Sequence, residues 1–327
     1  MNRSNQIMAG LLALQAILLV AMSVGGEDRL AVESRKLFAD LAPESVSRIE
    51  IQGPPGDRQE TVTLARAASG WAIADADDYP AKRDSVEDLL DTLAGLRSTT
   101  VVVTRDTYHE KLKVAEGDFN RRIRLTVDGE PVELFLGSSP SFKNTHVRRA
   151  DSDDVYLVSN LALGDVAERP WNWVERAYVD IPEDEVWSIE IENEKGSLRL
   201  ERDPVSGRWA GLGIDEPLKA SAVNDLVRKA RSINLEAPVG KTTKPEFGLD
   251  DPAAVVRLEV GTSTIAGTPP PSTETRTIRI GAKVEGQSRR YVKADDEPYV
   301  VEAAQYAVQP LLEKSRDDLV DREDSED

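Results

Sequence analysis

Residues 186–209 read VWSIEIENEKGSLRLERDPVSGRW, and residues 46–71 read VSRIEIQGPPGDRQETVTLARAASGW. Both stretches contain two runs in which apolar and polar residues alternate, joined by a turn and followed by a tryptophan. Alternation with a period of two is typical of β-strands that bury one face, and two such runs around a turn predict a hairpin. The same opening hairpin is therefore predicted at two places in one chain.

The repetition continues beyond the hairpin. Counterparts lie 133 to 144 residues apart, as in the pairs Ile49 and Ile189, Leu125 and Leu258, and Leu136 and Ile280. The spacing changes most between the last two pairs, where the second half carries GTSTIAGTPPPSTETRT at 261–277. A segment so rich in Pro, Thr and Ser predicts a surface loop, and an insertion at a hairpin tip is compatible with the repeat.

Each half predicts the same series of elements. In the first half, strands are expected at 46–52, 61–67 and 71–73, and a helix follows whose apolar residues share one face: Val86, Leu89, Leu90, Leu93 and Leu96. Four more strands are predicted at 122–128, 132–137, 145–149 and 155–159, and a last helix at 161–169. Short strands joined by tight turns form antiparallel sheets, and one apolar face per strand implies helices covering that face.

The fold class that follows is α+β, with two tandem repeats of an antiparallel-sheet domain covered by helices. The predicted repeats span 46–180 and 181–321. Because no Gly-rich or Ser-rich linker separates them, we expect the copies to pack together with pseudo-twofold character.

Composition excludes several classes of function. The 327 residues carry a formal net charge of −18, which repels the phosphates of nucleic acid and the surface of anionic lipid. Cysteine is absent, which excludes disulfides, thiolate metal sites, a Cys nucleophile and a lipid-modified N-terminal cysteine.

The N-terminus predicts a membrane anchor. Residues 7–24 read IMAGLLALQAILLVAMSV, with Arg3 before the run and Glu27 and Asp28 after it. The positive flank stays in the cytoplasm, so residues 1–26 are expected to cross the cytoplasmic membrane once and place the body on the periplasmic side. A cleaved signal peptide is the alternative. A polar spacer is predicted at 27–45 and an acidic, disordered tail at 322–327.

No residue set stands out as catalytic. His109 and His146 lack a second ligand at metal spacing, and Gly240-Lys241-Thr242-Thr243 lacks the first glycine of a phosphate-binding loop. The acidic clusters at 75–78, 151–154 and 295–297 lack the pattern of a calcium loop and predict solvated turns. We therefore expect a protein that is not an enzyme and has no cofactor or metal.

The five tryptophans fall into two groups. Trp71 and Trp209 are counterparts in the repeat, so both are predicted to lie in a core. Trp171, Trp173 and Trp187 have no aromatic counterpart and surround the junction of the copies. They are interpreted either as packing at that junction or as a partner-binding patch, since aromatic residues anchor interfaces.

Several short motifs together resemble one family. The first half contains Leu37-Phe38-Ala39-Asp40-Leu41, Gly70-Trp71, Lys111-Leu112-Lys113-Val114, Leu136-Gly137, Val147-Arg148 and Trp171-Asn172-Trp173; the second contains Phe247-Gly248-Leu249-Asp250-Asp251-Pro252, Ile280-Gly281 and Tyr291-Val292. In this combination the chain resembles the bacterial family called domain of unknown function 4340. In the first half the Phe-Gly-Leu motif is altered to Tyr108-His109-Glu110-Lys111-Leu112. The resemblance implies an association with gliding-motility-type ABC export systems and supplies no catalytic residues.

Three functions remain open on this basis. The first is a non-catalytic accessory or scaffold protein, anchored in the membrane, whose partner is an ABC-type permease or an envelope component. The second is an envelope hydrolase that uses carboxylates in a cleft between the repeats. The third is a soluble-ligand receptor, which needs a deep pocket with convergent polar groups.

Overall fold

The computed structural model describes residues 35–38, 41–57, 59–98, 101–263 and 267–321. The predicted anchor (1–26), the first part of the spacer and the predicted acidic tail (322–327) lie outside these residues. Among the helices of the described ranges, none is both long and apolar enough to cross a membrane.

The first copy is built on one nine-stranded antiparallel sheet. The whole copy has more strands than this sheet, because two short pairs lie outside it. The strands of the copy are β1 (Arg35–Lys36), β2 (Val46–Gln52), β3 (Thr61–Ala67), β4 (Gly70–Ile73), β5 (Tyr79–Pro80), β6 (Arg97–Ser98), β7 (Val101–Val103), β8 (Val114–Ala115), β9 (Asp118–Phe119), β10 (Arg121–Val127), β11 (Glu130–Leu136), β12 (Asn144–Arg149) and β13 (Val155–Ser159). Its helices are α1 (Arg83–Gly95) and α2 (His109–Leu112). The order in the sheet is β5-β4-β3-β2-β10-β11-β12-β13-β7, while β1 pairs with β6 and β8 with β9.

The second copy is built on another nine-stranded antiparallel sheet. Its strands are β14 (Ala177–Asp180), β15 (Val186–Asn193), β16 (Gly196–Arg202), β17 (Trp209–Gly211), β18 (Ser232–Gly240), β19 (Ala254–Val260), β20 (Glu274–Lys283), β21 (Arg289–Ala294) and β22 (Val300–Ala304). Its helices are α3 (Ala220–Arg231), α4 (Gln305–Glu313) and α5 (Arg316–Leu319). The order is β14-β18-β22-β21-β20-β19-β15-β16-β17.

The two sheets have the same topology over eight positions. The order β4-β3-β2-β10-β11-β12-β13-β7 of the first sheet is matched by β17-β16-β15-β19-β20-β21-β22-β18 of the second. The register repeats as well, because Ile49 faces Leu64 as Ile189 faces Leu200. The predicted fold class, α+β with antiparallel sheets in two domain-like regions, is confirmed.

One long helix in each copy covers the apolar face of its sheet. Val86, Leu89, Leu90 and Leu93 of α1 are buried at the spacing of one helix face. The same spacing buries Val223, Leu226, Val227 and Ala230 of α3. These side chains and the inward-facing strand residues belong to one continuous apolar cluster that runs through both copies.

The last helix predicted for the first copy does not form. Residues 161–169 contain a single 3-10 turn at Leu163–Asp165, and a second turn follows at Pro170–Asn172. The Asp165 carboxylate accepts the N–H of Ala162, which closes the first turn locally. Such competition by short polar side chains, together with glycine and proline, disfavours a continuous helix here.

The second sheet begins before the predicted boundary at residue 180. Strand β14 lies within the range 46–180 but pairs with β18, through Ala177 with Asn234 and Asp180 with Ser232. In the first copy, β1 pairs with β6 in the same way. Each copy therefore includes a short strand that precedes its opening hairpin.

A close backbone approach reveals the true counterpart of the Phe-Gly-Leu motif. A Cβ atom on Gly281 would collide with the carbonyl oxygen of Phe247, and one on Gly137 would collide with that of Leu112. Only glycine fits at these two positions. The residue equivalent to Phe247 is therefore Leu112.

The next residue in each copy has a left-handed backbone. Gly248 has φ of 61° and Lys113 has φ of 59°. The first-copy counterpart of the motif is thus Leu112-Lys113-Val114, and not Tyr108-His109-Glu110-Lys111-Leu112 as predicted. Lysine at a position that favours glycine hid the motif from sequence comparison.

Replacement of a core residue of α1 tests the packing. Leu90 is 1% exposed, so Leu90→Ala should lower the free energy of unfolding by about 2–5 kcal/mol through lost contacts and a residual cavity. Glu87→Ala, on the exposed face of the same helix, should change it by less than about 0.5 kcal/mol. Chemical denaturation measures both values, and equal effects would contradict the assignment of the buried face.

Candidate functional site

The two copies contact each other head to tail. The turn after β4 lies against the end of β18, where the Asp77 carboxylate accepts the backbone N–H of Lys241 at 2.7 Å. Asp77 and Asp78 both have left-handed backbones, with φ of 51° and 59°. By sequence, Asp77 corresponds to Ile214 of the second copy, whose backbone N–H donates to the carbonyl of Gly211 in its own copy at 3.2 Å. Val101 and Val102 of β7, the strand equivalent to β18, are 43% and 39% exposed. The packing is therefore heterologous, and not pseudo-twofold as expected.

Three tyrosines fill this contact. The ring of Tyr79 lies 4.7 Å from that of Tyr299 between centroids, and the Tyr299 hydroxyl donates to the carbonyl of Asp78 at 3.0 Å. The buried Tyr178 hydroxyl donates to the carbonyl of Tyr299 at 2.7 Å and accepts the N–H of Ala294 at 3.0 Å. Burial, with a smaller contribution from the Glu297 carboxylate, raises the pKa of Tyr79 to about 12. Tyr178 and Tyr299 are 6% and 8% exposed at this contact, and Tyr79 is half-buried.

A cleft of about 940 Å³ opens beside this contact, between the copies. Trp171 lies in it half-buried, with the guanidinium carbons of Arg169 and Arg289 at 4.8 and 5.6 Å from its ring centroid. Both distances are typical of cation–π contacts. Tyr306, which is 72% exposed, lies at the other side of the same cleft.

Arg289 links the two copies at the base of the cleft. Its guanidinium pairs with Glu302 of the second copy at 3.1 Å and reaches Glu60 of the first copy at 4.0 Å. Burial raises the pKa of Glu302, and the hydrogen bond from Arg289 acts in the opposite direction. The two carboxylates therefore flank a shared cation, which is a structural ion-pair arrangement. Sequence reasoning missed Arg289, although its position within the repeat, where the first copy has Asn144, marks it as specific to one copy.

The structure separates the three tryptophans predicted as a possible partner-binding patch. Trp171 is the one that faces the cleft. Trp173 is 3% exposed and its indole N–H donates to the carbonyl of Ala167 at 2.8 Å, so its ring is part of the core and cannot anchor a partner. Trp187 is half-buried on β15 and donates to the carbonyl of Gly261 at 2.8 Å.

The predicted core tryptophans also differ. Trp71 is 3% exposed, as expected. Trp209, its counterpart, is only half-buried and borders an open groove. Equivalent positions in the repeat are therefore not equally covered.

The pair of Ser138 and His146 resembles a nucleophile beside its base. The Ser138 hydroxyl lies 3.0 Å from Nδ1 of His146, but the same Nδ1 lies 2.8 Å from the Ser138 carbonyl oxygen. A carbonyl can only accept, so Nδ1 carries the proton in that hydrogen bond and has no lone pair for the serine. His109 also makes a hydrogen bond to the backbone, because its Nε2 lies 2.9 Å from the carbonyl oxygen of Asp153.

The acidic clusters are engaged by neighbours. Asp151 pairs with Arg149 at 2.7 Å, Asp296 pairs with Arg276 at 3.0 Å, and Asp295 pairs with Arg279. Across the part of the chain that the structure describes, no group of three or more His, Cys, Asp or Glu side chains could hold a metal ion. The Lys241 ammonium lies 5.0 Å from the Tyr299 ring, so this lysine belongs to the contact between copies.

Comparison with known families gives one result. The family model described as domain of unknown function (DUF4340) matches residues 71–246 and 213–323, two segments that overlap across α3 and β18. No curated protein and no solved structure matches the chain.

The Tyr178 hydroxyl tests how the second copy holds Tyr299 in place at the junction. Tyr178→Phe leaves a buried carbonyl and a buried N–H without their partner, and should lower the free energy of unfolding by about 1–3 kcal/mol. Tyr306→Phe is the matched control, because that ring is mostly exposed. Denaturation curves of the two variants should differ clearly; coincident curves would show that the hydroxyl contributes nothing.

Alkaline pH tests the burial of Tyr79. A raised pKa in the folded state means that the unfolded chain loses its proton first, near pH 10, so stability is full below pH 10 and falls as pH rises to about 12. Tyr79→Phe cannot ionise and should lose less stability between pH 9 and pH 11 than the wild type. Denaturation at the two pH values measures this, and equal losses would contradict it.

Proposed function

The chain belongs to the DUF4340 family, and from this premise we propose that it is a non-catalytic accessory protein that binds a protein partner through the cleft between its two copies. In this proposal residues 1–26 anchor it in the cytoplasmic membrane and the described body lies on the periplasmic side. The class of partner, an ABC-type export or gliding-type transport system, follows from the family resemblance.

The observation that carries the proposal is the composition of the cleft. Trp171, Arg169, Arg289 and Tyr306 are the residue types that most often dominate the binding energy of protein interfaces. Trp171 and Tyr306 leave part of their rings accessible, while Arg289 is held in place by Glu302. Such a surface offers rigid aromatic and guanidinium anchors that lose little conformational freedom on binding.

A hydrolase in the same cleft receives less support. Its one favourable feature is the raised pKa of Glu302, which a general acid needs. Against it, Arg289 occupies the space between Glu302 and Glu60, and Glu236 is paired with Arg176 at 3.0 Å. A substrate bond placed between those carboxylates would have to displace the arginine.

A soluble-ligand receptor is the second candidate. The cleft volume of about 940 Å³ lies within the range of small-molecule sites, which prefer junctions between domains. This candidate and the protein-binding proposal use the same residues, so the experiment has to distinguish the size of the bound molecule.

Photo-crosslinking in native membranes tests the proposal. A photoreactive residue replaces Tyr306 in the full chain, which is expressed in its own organism with an affinity tag. We expect a crosslinked adduct that contains a transport component, identified by mass spectrometry. Trp171→Ala should reduce the adduct at least about fivefold, as loss of an aromatic anchor typically does.

Two controls make the result decisive. A photoreactive residue at Phe142, which is 85% exposed and does not line the cleft, should give no such adduct. Glu302→Gln keeps the size of the side chain and should not alter hydrolytic activity of the membranes. Adducts only with small molecules would favour the receptor, and an adduct without any transport component would remove the ABC-type partner from the proposal.

A further inference from the structure

The two copies differ at one edge of their sheets. In the first copy, β5 covers the outer edge of β4, with Ile73 facing Tyr79 and the N–H of Ala81 donating to the carbonyl of Trp71 at 2.9 Å. This short extended segment excludes water from Trp71. It is the chain's own example of a strand added to the edge of this sheet.

In the second copy the corresponding segment does not pair with the edge of β17. By sequence, Tyr79-Pro80-Ala81 corresponds to Glu216-Pro217-Leu218. Here Leu218 forms a bridge with Val320, and the carbonyl of Pro217 accepts the N–H of Asp321 at 2.7 Å. The segment thus pairs with the C-terminal end of the described chain, and β17 remains the last strand of its sheet.

A groove of about 680 Å³ lies where the missing strand would be. Its floor is apolar and contains Trp209, Ile214, Leu218 and Val223. Trp209 faces Arg202 in the ladder as Trp71 faces Arg66, so its carbonyl points outward in the same direction. Within the described ranges, no donor takes the place that Ala81 has in the first copy.

We propose that this groove binds an extended peptide segment of a partner protein, which adds to the edge of β17 as an antiparallel strand. The segment carries an aromatic residue followed by proline, as Tyr79-Pro80 does at the equivalent edge of the first copy, where Tyr79 faces Ile73 and Pro80 faces Ala72. A lipid chain would fill the apolar floor but leave the backbone edge unpaired, whereas a peptide satisfies both. The inference does not depend on the cleft between the copies.

Binding of a defined peptide tests the proposal. The probe is a fluorescein-labelled peptide with the sequence of residues 74–81, Ala-Asp-Ala-Asp-Asp-Tyr-Pro-Ala, titrated with the full chain in detergent. Fluorescence anisotropy should show saturable binding, with Kd on the order of 100 μM for so short a strand. Trp209→Ala and Ile214→Ala, which both remove apolar lining of the groove, should each weaken it about tenfold.

Three controls identify the site. Val205→Ala changes an exposed apolar residue outside the groove and should leave binding unchanged. Trp171→Ala should also leave it unchanged, so failure of the cleft proposal is distinguishable from failure of this one. Thermal melting confirms that each variant is folded, and Ile214→Ala keeps the test valid should Trp209→Ala unfold.

A crosslink provides an independent measurement. Because the chain has no cysteine, Ala210→Cys on β17 introduces a single thiol. This thiol should attack a version of the peptide whose cysteine is activated as a mixed disulfide with thionitrobenzoate, which forms the protein–peptide disulfide and releases thionitrobenzoate. Val205→Cys is the matched control and should react at least about fivefold more slowly, since no bound peptide raises the local thiol concentration there. Absence of saturable binding, equal binding by the groove variants, or equal crosslinking of the two thiols would overturn the proposal.

Discussion

The turn of Asp77 and Asp78 against the end of β18 is the contact on which the relation of the two copies depends. Its left-handed residues place a carboxylate on the backbone N–H of Lys241, and Tyr79 and Tyr299 close the contact with their rings. The exposed edge of a sheet is a site for unwanted association, and here the turn of the first copy binds a backbone N–H just beyond the end of β18. The same contact sets the cleft of Trp171 and Arg289 beside it.

Because the two copies pack head to tail, equivalent strands of the same fold have different neighbours in each copy. The first part of β18 pairs with β14 and its end lies against the Asp77 turn of the first copy, whereas the equivalent strand β7 exposes Val101 and Val102 by 43% and 39%. At the opposite edge, the first copy covers β4 with its own β5, while the second copy leaves β17 open. Duplication therefore produced one scaffold with two different surfaces, and those surfaces are the places where the copies can serve different purposes.

The residues at both surfaces suit recognition better than catalysis. The cleft presents aromatic rings and guanidinium groups, and its carboxylates are held by arginines. The groove presents an apolar floor and a free strand edge. The Ser138 and His146 pair, which most resembles a reactive centre, has its imidazole proton committed to a carbonyl. Each feature fits the binding of a partner better than a hydrolytic reaction.

The sequence by itself determined the strands, the two covering helices and the repeat, because alternation and helical spacing are local and depend on which face is buried. It also identified the junction as the place to search for a site. It missed what depends on contacts between distant residues: the left-handed Lys113, the pairing of β14 with the second sheet, and the burial of Trp173 beside the exposure of Trp171 and Trp209. Those outcomes were decided by the tertiary structure. The burial of a side chain depends on how the copies pack and on where the C-terminal segment pairs. Local periodicity in the sequence encodes neither of these.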